Sequence, residues 1–132
     1  MTALAARRIS AAGLSDRITA QSLDFFTDPL PKADVITMGM ILHDWNLEKK
    51  RHLVQAACAA MPRGGAFIII ENLLDDPRRE NAFGLMMSLN MLIGFGDAFD
   101  FTGADFSRWC CEAPARRPRA KPASARRRCS RS

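Results

Sequence analysis

The sequence predicts an α/β fold, a parallel sheet with flanking helices, and three observations carry that expectation. Two short apolar runs, residues 34–38 and 66–70, have the length of strands and no polar alternation, as strands covered on both faces should. Stretches with helical spacing come after each run. Strand and helix therefore alternate along the chain, which is the pattern of a parallel sheet whose crossovers are helices.

In chain order, residues 3–12 read as a helix, with Leu4 and Ile9 among alanines, and Gly13 is its stop. Residues 17–22 alternate and are expected to form a short strand. Residues 24–31 form a loop broken by Pro29 and Pro31. After the strand at 34–38, residues 46–61 turn helical: Leu47, Val54, Cys58 and Met61 recur at helical spacing, with Glu48, Lys49, Lys50 and Arg51 as the charged first turns. Pro62, Gly64 and Gly65 end that helix, and residues 66–70 are the clearest core strand. Residues 81–93 form a second long helix, apolar on most sides through Phe83, Met86, Met87, Leu89, Met91 and Leu92. Such a helix is expected to be buried or covered by a partner. Residues 94–101 are a loop, and Thr102 with Asp105 has the spacing of a helix cap, so a third helix is expected over 103–110. From Pro114 onward Pro, Arg, Ala and Ser dominate, and residues 114–132 are expected to be disordered. The expected division is a domain over residues 1–112 and a basic Pro/Arg/Ala-rich tail over 113–132.

At 132 residues, 48% of them hydrophobic, the chain has room for one globular domain. The formal net charge of +5 is unevenly placed: residues 111–132 hold 8 of the 19 Lys and Arg and one of the 14 Asp and Glu. The remainder is mildly acidic. A basic tail alone binds phosphates weakly and without sequence preference, so no specific nucleic-acid partner is expected. The cysteines, Cys58, Cys110, Cys111 and Cys129, contain no C-x-x-C pair, which excludes the usual zinc spacing, and no metal is expected. Adjacent Cys110 and Cys111 rarely bridge each other, so reduced thiols and a cytoplasmic location are the expectation. The longest apolar run, residues 66–70, is far short of a membrane span, and the N-terminus is too mixed for a signal peptide.

In open parallel sheets, ligands bind beyond the carboxyl ends of the strands. The residues there are Asp24 and Phe25, then Gly39 to Asp44, then Glu71 and Asn72. Carboxylates, a histidine and an aromatic ring would then converge on one crevice. Bland roles stay open for each: a turn for Asp24, a helix cap for Asp44, packing for Trp45, a solvated strand end for Glu71 and a loop acid for Asp100.

Leu42-His43-Asp44-Trp45, the helix ending in Met61-Pro62-Arg63-Gly64-Gly65 and the strand running into Glu71 resemble the small-molecule O-methyltransferase family. That family uses S-adenosylmethionine and includes caffeate-type, acetylserotonin-type and bacterial enzymes. Asp24-Phe25-Phe26, Leu89-Asn90-Met91-Leu92 and Phe101-Thr102-Gly103-Ala104-Asp105-Phe106 extend the likeness to roughly residues 5–112. The resemblance implies an incomplete, Rossmann-like class I methyltransferase domain. It implies that His43 is the general base, with Glu71 and Asp100 orienting it. Asp100 stands where the family usually has Glu, one methylene longer. It places Asp24 and Phe25 at the adenine of the cofactor, Gly39 where plant members carry a cofactor-contacting Lys, and Asn90 and Met91 beside the acceptor. The acceptor it implies is a hydroxyl on a small aromatic or polyketide-like molecule.

The departures shape the remaining expectations. No glycine-rich loop precedes Gly13, and the helical domain through which the family forms homodimers has no counterpart here. After Cys111-Glu112-Ala113 the family's final β-hairpin is replaced by the Pro/Arg run, as a shifted reading frame would produce. Weak or no cofactor binding by this chain alone is expected. The alternative reading is a non-catalytic remnant or interaction module of the same fold.

Overall fold

The computed structural model describes residues 2–113. The expected disorder of residues 114–132, and the thiol of Cys129, lie outside the described residues.

Helix α1 (Thr2–Ala11) buries none of its residues and ends before Gly13, whose φ of 67° is the left-handed conformation that closes a helix. The strand expected over residues 17–22 does not form. A strand exists through pairing, and no described strand pairs with this segment; Arg17 N and Ile18 N instead donate to Leu14 O in a turn, and Ile18, its largest apolar residue, is 46% exposed. Residues 24–31 form the expected loop.

The sheet has two described strands, β1 (Val35–Gly39) and β2 (Ala66–Ile70), paired in parallel. Val35 lies opposite Ala66 and Gly39 opposite Ile70. Helix α2 (Leu47–Ala60) makes the crossover, as a parallel pair requires. Asn46 caps it by accepting from Lys49 N at 3.0 Å. Its return to β2 is tight: a Cβ on Gly65 would sit 2.9 Å from Asp34 O and 3.1 Å from Met61 Cβ, so only glycine fits there.

The strands alternate in burial. Ile36, Met38, Phe67 and Ile69 pack against the core, whereas Ile68 and Ile70 are exposed. The expectation that both faces are covered is therefore corrected. Composition records which faces are apolar, but α2 and α4 (Gly103–Glu112) both pack on the same face. The core lies there, with Leu42, Leu53, Val54, Cys58, Phe101 and Trp109 at its centre. A full capping box starts α4: Thr102 Oγ1 accepts from Asp105 N at 3.0 Å, and Asp105 Oδ2 accepts from Thr102 N at 3.1 Å.

Helix α3 (Ala82–Phe95) begins at its cap Asn81 and stops at Gly96, where φ is 81°. Only Gly84 among its residues is buried. Cys58, Cys110 and Cys111 are free thiols. Among the described residues, no helix is long and apolar enough to cross a membrane, and no group of His, Cys, Asp and Glu could hold a metal ion.

Candidate active site

Parallel pairing with one-to-one register brings the carboxyl ends of β1 and β2 side by side. Met40 N donates to Ile70 O at 2.9 Å, extending the ladder one step. Met40 then takes φ 53°, a conformation that costs a non-glycine residue about 1 kcal/mol, and turns the chain off the sheet. The chain then makes a single 3-10 turn, Leu42–Asp44, which carries His43.

Glu71 is the first residue beyond β2, and its carboxylate meets that turn. Oε1 accepts from the backbone N–H groups of Ile41 and Leu42, each at 2.9 Å. These are donors at the start of a helical turn, which have no partner within the turn itself. Oε2 lies 2.7 Å from His43 Nδ1. The Glu71 side chain is 1% exposed and that of His43 13%. The other ring nitrogen, Nε2, is 3.1 Å from Asp44 Oδ1. Asp44 does not cap α2, as the sequence suggested; it sits inside the 3-10 turn, and Asn46 takes the cap.

Asp100 is buried next to this pair. Its backbone N donates to Ser88 Oγ of α3 at 3.0 Å, and its Oδ2 has no hydrogen-bond partner among the described residues. Burial raises its carboxyl above the usual carboxylate range, while the charges of His43 and Lys50 oppose the rise. Asp100 is thus within electrostatic reach of His43, but no hydrogen bond joins the two among the described residues.

Sequence reasoning misses Lys50, which it places among the charged first turns of a helix. In the structure it is 0% exposed. Its ammonium donates to Trp45 O and lies 3.6 Å from the centroid of the Phe99 ring. Burial draws its pKa down to about 8, against the pull of Asp100, Glu71, Asp97 and Asp44. A signal existed: Lys50 shares a helical face with Leu53, Val54 and Ala57, all buried. Ser88 and Phe99 carried no such signal.

Phe25 and Gly39 line one apolar hollow of about 290 Å³ with Leu23, Leu30, Ile41 and Leu53. Asp24 shapes the loop at its rim: its Oδ1 accepts from Phe26 N at 2.9 Å, and its own N donates to Asp28 Oδ2 at 2.8 Å. Phe26 stacks edge-on against Trp45 with centroids 4.8 Å apart, so this loop is tied to the turn that carries His43. Asn90 is exposed, and its amide donates to Met87 Sδ on its own helix at 3.9 Å. No hydrogen bond or ion pair joins Asn90 or Met91 to the His43 cluster among the described residues.

The O-methyltransferase domain family matches residues 2–108. A 3-hydroxy-5-methyl-1-naphthoate 3-O-methyltransferase of Streptomyces sahachiroi is 40% identical over 112 residues, 84% of this chain and 32% of its own length. The crystal structure of human N-acetylserotonin methyltransferase in complex with S-adenosylmethionine aligns with a TM-score of 0.69 at 34% identity, over 76% of this chain and 29% of that one. An O-methyltransferase family 2 protein from Planctomyces limnophilus, in complex with apigenin, aligns with a TM-score of 0.76 at 26% identity, over 84% of this chain and 34% of that one. The chain spans about a third of the length of these relatives, and it belongs to the O-methyltransferase family.

Proposed function

We propose that this chain carries the base-bearing part of an S-adenosylmethionine-dependent O-methyltransferase, with His43 as general base toward a hydroxyl of a small aromatic or polyketide-like molecule. The observation that carries this reading is the 2.7 Å contact of His43 Nδ1 with Glu71, a carboxylate itself fixed by two backbone amides. With Nδ1–H donating to Glu71, the neutral ring keeps its lone pair on Nε2, and Asp44 Oδ1, 3.1 Å from that nitrogen, has to turn aside for the acceptor hydroxyl to reach it. A phenol titrates near ~10, so at neutral pH its proton must be removed for the oxygen to attack. His43 Nε2 accepts that proton. The imidazolium then faces Glu71 on one side and Asp44 Oδ1 on the other, and the Asp100 carboxyl adds to the field. Base catalysis of this kind contributes about 10²–10⁴-fold.

The residues of the hollow fit the adenine end of the cofactor: Phe25 offers an apolar ring face, Gly39 leaves room, and Asp24 supplies an exposed carboxylate at the rim. The cofactor, when bound, supplies a methyl group on a positively charged sulfur. Asn90 and Met91 are proposed to border the acceptor.

The test pairs two measurements. Calorimetry on the 132-residue chain is expected to find S-adenosylmethionine binding weaker than micromolar; micromolar binding would show that the chain holds the cofactor unaided. Residues 2–113 are then grafted in place of the matching third of the naphthoate methyltransferase, with and without His43→Ala. Methyl transfer is expected to fall at least about 10²-fold in the variant; equal rates would remove His43 from the reaction. A non-catalytic role is favoured by one observation, the bare apolar surface of α3. A graft that melts cooperatively but transfers no methyl group would select it.

A further inference from the structure

Lys50 lies one turn into α2, with its stem running inward beside Leu53 and Val54. Its ammonium touches two separate stretches of chain. One is the end of the turn that carries His43, through Trp45 O. The other is the segment that carries Asp100, through the face of the Phe99 ring. A second tie joins the same stretches nearer the surface, where Asn46 Nδ2 donates to Asp97 Oδ2 at 2.8 Å. Residues 97–101 belong to no helix or strand, so ties of this kind decide where Asp100 sits.

The charges make the same demand. Glu71 and Asp44 touch one imidazole and the charge of Asp100 reaches it, and Glu71 and Asp100 are almost fully buried. Like charges packed together repel, and burial sharpens the repulsion. Lys50 is the cation that faces them from α2; Asp97 faces it from the loop, and His43 faces Asp100 from the 3-10 turn. An ammonium on an aromatic face, with a carbonyl acceptor, is held charged in a place that otherwise disfavours charge.

We propose that Lys50 is a positioning residue for the candidate active site: it clamps the segment bearing Asp100 to the turn bearing His43 and supplies the positive charge that lets Asp100 and Glu71 share one buried cluster. This inference rests on the reading of His43 as the base. Its readouts do not depend on turnover, so a graft in which His43→Ala changes nothing would defeat that reading and leave the test of Lys50 standing.

The test uses the full chain, labelled with ¹⁵N and ¹³C. In the wild type, the Lys50 Nζ resonance is expected to titrate near pH 8, where a free lysine titrates near ~10.4. Its Cε protons are expected to be shifted upfield by the Phe99 ring. In Lys50→Met, which keeps the stem and removes the charge, the Asp100 carboxyl carbon is expected to titrate higher than in the wild type. An Asp100 titration that Lys50→Met leaves unmoved overturns the proposal. So does a wild-type Lys50 that titrates near ~10.4 with no ring shift, and this measurement decides the matter if the variant does not fold.

Discussion

Glu71 uses its two oxygens for different tasks, and substitutions can separate them. Oε1 satisfies the amides of Ile41 and Leu42, while Oε2 holds His43. Glu71→Ala leaves two amides without their acceptor; each buried donor left this way costs about 1–3 kcal/mol. We expect urea unfolding to show a loss of about 2 kcal/mol or more. Glu71→Gln keeps a carbonyl for the amides and loses the charge that faces the imidazolium, so its stability should stay within about 1 kcal/mol of the wild type while methyl transfer in the graft falls. Equal destabilisation by both variants would refute the division. The place of Glu71 beside His43 was legible in the sequence, because an acid directly beyond a core strand lands at the carboxyl edge of the sheet. Its hold on two amides was not, since that depends on which residues of the neighbouring chain the register brings opposite. Lys50 was hidden by its company: Glu48 and Lys49 beside it are exposed, and only the helical phase marks it as inward.

The elements that present the site are short, so their ends matter. Helix α4 begins two residues after Phe101 and three after Asp100, and its capping box fixes where the loop stops. Thr102→Ala removes the acceptor for Asp105 N and is expected to cost about 1 kcal/mol in chemical denaturation. No loss at all would mean that the bridge from Leu74 N to Phe101 O, 3.0 Å long, fixes this end without the cap. The cap was readable from Thr102 and Asp105 alone, as a local pattern should be. The strand expected over residues 17–22 shows the opposite case. Its alternation is a local property, but pairing is not, and the described residues offer it no partner. The same reason explains β1 and β2, whose composition suggested two covered faces and whose packing covers one.

Across the whole molecule, the apolar surface is divided unequally. The side of the sheet with α2 and α4 is closed, whereas α3 shows Phe83, Met86, Ile93 and Phe95 at 65, 67, 74 and 60% exposure. Fully burying one such side chain is worth about 1.5–3 kcal/mol, so several together favour association strongly. Sedimentation of the chain is expected to show self-association that Met86→Lys with Ile93→Lys reverses; a wild type that stays monomeric at tens of micromolar (roughly where association worth about 6 kcal/mol is half complete) would contradict this. The sequence revealed the need for cover on this helix and could not reveal what meets it, because the pattern of one surface does not describe its complement. The one-to-one pairing of β1 with β2 carries a last consequence. Exchanges among Val, Ile and Phe within these strands leave the imidazole and its carboxylate where they are. Losing one residue between Ala66 and Ile70 turns every later side chain of that strand to the opposite side of the sheet, Glu71 included. His43 and Glu71 are located by counting along the chain, so their meeting can survive long drift in composition and be erased by the deletion of a single codon.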